Sequence, residues 1–112
     1  MSISESEKAR AGVERGEILT ALKQDYGREM TSVRSLWKAL DLLGHPISAS
    51  GLQFSLNLLS DEGYIRVWRA SEFERQDRVP DERGDIIIFC RVTPKGLRLI
   101  DGQEPANPSV IF

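Results

Sequence analysis

Residues 56–65 read Leu56-Asn57-Leu58-Leu59-Ser60-Asp61-Glu62-Gly63-Tyr64-Ile65, and the apolar repeat changes character within them. Up to Gly63, Leu52, Leu56 and Leu59 recur at steps of four and three, the spacing that lines up side chains on one helical face. Beyond it, residues 64–70 and 86–93 are rich in β-branched and aromatic side chains and read as strands. Gly63 stands at the junction, where a helix commonly ends on a residue that tolerates positive φ. A helix handing over to a hairpin is therefore the feature from which the rest of the fold is read.

Working upstream, Ser48 is placed to cap this third helix, and Ile47 can staple onto Leu52. The link Gly44-His45-Pro46-Ile47 is short. Before it, Thr31 reads as an N-cap, and Val33, Leu36, Trp37, Leu40 and Leu43 follow on one face of a second helix that Gly44 terminates. Trp37 is expected in the core on that pattern. Two helices joined by so short a turn form a helix-turn-helix unit. A first helix is opened by Ser4 and Glu7 at capping-box spacing and carries Ile18, Leu19, Leu22 and Tyr26, ending near Tyr26. Its part from Glu5 to Gly16 has few apolar residues and two glycines, so it either frays or extends outward to meet another subunit.

Downstream, the two strands flank a polar loop, Ser71 to Asp85, in which Pro80 and Gly84 argue against regular structure. Thr93-Pro94 reads as N-cap plus first-turn proline of a short helix through Leu97 and Ile100, ending at Gly102. The last ten residues, Gln103 to Phe112, have two prolines and no period, and a flexible tail is expected. The organisation is one α+β domain over residues 1–102, with 1–16 as a helical extension and 103–112 as the tail.

The 112 residues suit a single core, and 40% hydrophobic with 29% charged residues is the composition of an ordinary globular chain. No apolar run is long enough to cross a bilayer and the first ten residues are polar, so no membrane association and a cytoplasmic location are expected. Cys90 is the only cysteine and His45 the only histidine, too few for a disulfide or a typical zinc site. They fall on different elements, so no nucleophile-and-base arrangement forms either. The glycines match no phosphate-binding loop or dinucleotide fingerprint. No catalytic residue, metal or cofactor is expected, His45 is read as a turn residue, and Cys90 as a small apolar core residue.

The order of elements, together with the 56–65 stretch and Val92-Thr93-Pro94-Lys95-Gly96-Leu97, resembles the winged helix-turn-helix superfamily, especially small bacterial regulators of the PadR-like, MarR-like and ArsR-like kind. The resemblance covers about Ile18 to Gly102. It implies a three-helix core, a two-stranded β-hairpin wing and a short closing helix. It further implies double-stranded DNA as partner, a third helix that enters the major groove, a wing that touches the backbone, and a homodimer matching two half-sites. Carried onto this chain, the base-reading candidates on the third helix are Ser50, Gln53, Phe54 and Asn57. Gln and Asn can pair bidentately with adenine, and Phe54 can rest on a thymine methyl. The phosphate candidates are Arg34 and Lys38 on the second helix, Arg66 and Arg69 on the first wing strand, and Arg75 and Arg78 in the loop, where Arg83 adds a third.

Two features depart from that pattern. The net charge is −2, and no Lys or Arg occurs from Ile47 to Ile65, whereas DNA-reading helices usually carry one. The loop mixes six acids with three arginines, the composition of a solvated segment. Trp68 points opposite to Ile65 and Val67 and can sit beside Phe89 across the hairpin, either exposed as a partner surface or covered by the first helix. The leading expectation is a DNA-binding transcriptional regulator. The alternative is a winged helix that docks onto a protein partner through Trp68 or Phe54 without binding DNA.

Overall fold

The computed structural model of the chain describes residues 5–72 and 85–112. Its elements are α1 (Glu5–Gln24), β1 (Thr31–Ser32), α2 (Val33–Leu42), α3 (Ala49–Asp61), β2 (Ile65–Arg69), a single 3₁₀ turn (Ala70–Glu72), β3 (Ile87–Val92) and α4 (Pro94–Ile100). The strands form one antiparallel sheet in the order β1-β3-β2. This α+β arrangement is compatible with the resemblance. Among the described residues no helix is long and apolar enough to cross a membrane.

The sheet has one strand more than the expected hairpin. Thr31 and Ser32 pair with Cys90 and Phe89 along the other edge of β3. Thr31 is therefore buried in a strand and does not cap α2. Ser32 does so, accepting from the Ser35 amide at 3.0 Å. A β-branched residue suits the pleated position, and the next hydroxyl is the one within reach of the helix's free N–H groups.

The core joins Ile18, Leu19 and Leu22 of α1, Leu36 and Leu40 of α2, Leu52, Leu56 and Leu59 of α3, and the inward residues of the sheet, Ile65, Ile87, Cys90 and Val92. Ser48 caps α3 through the Gly51 amide, and Thr93 caps α4 through that of Gly96, as their spacing predicts. Gly63 has φ of 83° just past α3, a conformation a Cβ would strain, and the chain reverses there into β2.

Trp37 is not a core residue. Leu36 and Leu40 make the i, i+4 pair that faces inward, which leaves Trp37 about 100° round the helix and 42% exposed. Its Nε1 donates to the carbonyl of Ile47 at 2.6 Å, tying α2 to the turn before α3. Leu43, the C-cap of α2, is likewise exposed, and Tyr26 lies beyond the end of α1 with its ring under Arg91.

The expectation of a loose C-terminal tail is corrected by its packing. The Ile111 amide donates to the carbonyl of Gly12, Arg15 Nε donates to that of Ser109 at 2.6 Å, and Val110 is buried. Asn107 bonds both Glu62 and the hydroxyl of Tyr64. Gly12 and Gly16 explain why the tail lies where it does: one turn apart on α1, they leave a trough that the backbone and side chain of Ile111 fill. The N-terminal half of α1 is thus helical, and its glycine side is covered by the chain's own end.

Candidate nucleic-acid interface

The sequence-predicted site residues fall into three groups. The first lies where α2, the start of α3 and the start of β3 meet, around an open groove of about 860 Å³ lined by Val33, Arg34, Trp37, Ser50, Gln53 and Ile86 among others. Arg34 lines this groove and Lys38, one turn further along α2, lines the hollow next to it together with Arg34 and Trp37; both are exposed, and neither has a carboxylate within 4 Å among the described residues. Ser50 is exposed beside them, and Phe54 projects from α3 with 67% of its surface free. The walls are largely apolar, with Trp37 and Ile86 both open to solvent.

The second group is held inside the chain. Gln53 turns its amide toward β3, where Nε2 donates to the Ile87 carbonyl at 2.8 Å and Oε1 accepts from the Ile87 amide at 2.9 Å. Asn57 Nδ2 donates to the Gln53 carbonyl, and Asn57 Oδ1 accepts from Arg69 Nη2 at 2.6 Å. Arg69 Nη1 also donates to the carbonyl of Asp85. These three side chains bind α3 to the base of the hairpin. The strands prepare this, because the register passes from Trp68 opposite Phe89 to Arg69 opposite Ile87, leaving Ile88 as an extra residue. Such a bulge lets Ile87 turn inward beneath Gln53.

The third group lies on the sheet face turned away from the helices. Arg66 is exposed there with its guanidinium 4.5 Å above the Trp68 ring, and Trp68 is half-buried opposite Phe89. Arg75, Arg78 and Arg83 lie outside the described residues.

Two ionisable groups are shifted in the described residues. Asp85, beside the hairpin base, is held below the ordinary carboxylate range by hydrogen bonds from the Ser71 hydroxyl and amide, with Arg69 adding to the effect. Burial pushes the Cys90 thiol up to about 12. Cys90 therefore stays a neutral core group, remote in character from a nucleophile.

Sequence reasoning missed the groove and Arg91. The groove is assembled from three separate elements, and its one advance signal was that Trp37 follows Leu36 directly and so lies off the inward face. Arg91 sits between the inward Cys90 and Val92, so strand alternation alone puts it outward beside Arg66.

No family model and no curated protein sequence matches this chain. Among solved structures it is similar to a transcriptional regulator from Clostridium thermocellum at 17% sequence identity and a TM-score of 0.56, over 91% of this chain and 84% of that one. At that identity the likeness concerns the fold alone.

Proposed function

We propose that this chain is a winged-helix DNA-binding protein that regulates transcription as a homodimer, and that it approaches duplex DNA with the α2–α3 face. The observation that carries the reading is the pair Arg34 and Lys38, unpaired among the described residues and set beside the exposed start of α3. Cations with no internal partner are free to displace counterions from phosphates. Ser50 and Phe54 are the side chains of α3 left to meet base edges, while Gln53, Asn57 and Arg69 set the angle between α3 and the hairpin. The likeness to a solved transcriptional regulator supports the fold half of this reading.

A second reading is favoured by the groove itself. Its apolar wall, with Trp37 and Ile86 exposed, and the lack of any Lys or Arg on α3 suit a protein partner anchored by Trp37 and Phe54. Fluorescence anisotropy with a labelled random duplex, from about 50 to 200 mM salt, separates the two readings. DNA binding predicts tight association that weakens steeply with salt. Arg34→Ala and Lys38→Ala should each reduce the slope of log K against log salt by about 1. A parent chain that leaves the duplex unbound at the lowest salt overturns the DNA reading in favour of the protein partner.

A further inference from the structure

Arg66 and Arg91 stand directly opposite each other across β2 and β3, on the sheet face away from the helices. Like charges in that relationship repel, and proteins usually answer with a carboxylate nearby. None lies within 4 Å of either group among the described residues. Asp25, in the same turn as Tyr26, accepts from the Thr31 hydroxyl instead. Each guanidinium is steadied by an aromatic ring, Arg66 over Trp68 at 4.5 Å and Arg91 over Tyr26 at 4.8 Å. Arg91 has one long hydrogen bond, 3.4 Å to the Tyr26 carbonyl, and its Nε is buried without any acceptor. Two cations that face each other across the strands with no carboxylate between them among the described residues are a cost that a bound anion removes.

We propose that this outer sheet face is a phosphate-binding site that takes the backbone of a single nucleic-acid strand. Ring contact on one side of the exposed Arg66 guanidinium steadies its N–H groups for the oxygens of a phosphodiester, and Arg91 adds a second positive charge directly across the strands. The neighbouring flat surfaces distinguish this ligand from an acidic peptide. The exposed Arg66 guanidinium, carried on the partly buried Trp68 ring, offers a base a flat cation to stack on, for which a string of carboxylates has no use. The site is separate from the Arg34–Lys38 face and does not rest on the reading given above.

The experiment is anisotropy of a fluorescein-labelled oligothymidylate of about 15 nucleotides, long enough to span a small platform, titrated with the full chain. The parent should bind at low salt. Arg66→Gln, a change at an exposed side chain, should weaken binding about tenfold and lower the salt slope by about 0.7, the value for one lost single-strand contact. Arg91→Gln should do the same, and Arg91→Lys, which keeps the charge without the fork, should fall between. Melting curves check that each variant is folded, and Arg66→Gln decides the matter if Arg91→Gln is not. Unchanged binding by Arg66→Gln overturns the site. So does polyglutamate that displaces the labelled strand as well as unlabelled oligothymidylate does at equal charge. Running Arg34→Ala/Lys38→Ala with both probes keeps the two ideas apart. Loss of duplex binding alone in that variant supports two separate surfaces, and loss of oligothymidylate binding in it overturns the sheet-face assignment.

Discussion

Gln53 holds Ile87 by both of its backbone groups, donating to the carbonyl and accepting from the amide as a neighbouring strand would. Ile87 is a buried residue at the start of β3, on the side of the bulge where its regular pairing is interrupted. A side-chain amide carries a donor and an acceptor on separate atoms of one plane, so a single neutral group supplies both halves of that pair. The residue with the best chemistry for reading adenine is thereby used to fasten α3 to the sheet.

Gln53→Ala should therefore destabilise the chain by about 2 kcal/mol, because two buried backbone groups lose their partners together. Gln53→Glu should be at least as costly, since a carboxylate oxygen would face the Ile87 carbonyl. Urea titration followed by circular dichroism measures both. An alanine variant as stable as the parent would show that the contact contributes nothing to folding and would return Gln53 to the exposed stripe.

What was legible in the sequence was decided by local chemistry. Ser48 and Gly63 bound α3, Thr93-Pro94 opens α4, and Trp68 faces Phe89 because strands alternate. What was not legible depends on groups far apart in the chain. Two residues are too few to show a strand period, so Thr31 and Ser32 declare themselves only through β3. The tail has no period because its partner is a trough on α1, made by glycines that read beforehand as helix weakeners. Of the candidate site, the exposure of Ser50 and Phe54 followed from helical phase, but the use of Gln53, Asn57 and Arg69 did not. Polar residues on one helix face look alike until the element opposite them is known.

Asp85 should titrate below its ordinary value of 3.8, and Ser71→Ala should bring it back up, because the Ser71 hydroxyl is the largest cause of the shift. The sign for stability follows from the depressed value. The contribution is present above the unfolded carboxyl's pKa and is lost as pH falls through the folded one. Carboxyl-carbon NMR across the acid range reads this directly. An Asp85 midpoint at or above the ordinary value in the parent would mean that the Ser71 contacts do not persist in solution.

Cys90 is fully buried, and its thiol is raised from an ordinary 9.0 to about 12. The folded chain keeps a proton that the unfolded chain releases first, so this contribution is intact below pH 9.0 and is lost as pH rises toward about 12. The slope should be no steeper than about 1.4 kcal/mol per pH unit. Tyrosines and lysines also titrate there, so the measurement is the difference between the parent and Cys90→Ala in urea melts across that window. A thiol-reactive dye adds a second readout. It should modify the unfolded chain at once and the folded chain only as fast as it opens, and rapid modification of the folded protein would contradict the burial.

Gly16→Ala sets two effects of opposite sign against each other. Within a helix the substitution should stabilise by about 1 kcal/mol through propensity alone. Here the new methyl would run into the Ile111 carbonyl, so the tail must move off α1. Moving it exposes Val110 and breaks the bonds from Arg15 to Ser109 and from Ile111 to Gly12. Burying a valine fully is worth about 1.5 to 3 kcal/mol, and each hydrogen bond about 1 more. The loss outweighs the gain, and a net destabilisation of about 3 kcal/mol is expected from the same figures. Removing residues 106–112 isolates the cause. In that shortened chain no carbonyl opposes the methyl, and Gly16→Ala should become stabilising by roughly its propensity. Urea melts of the four chains test the reversal, and a destabilisation of equal size with and without the tail would place the clash somewhere other than at Ile111.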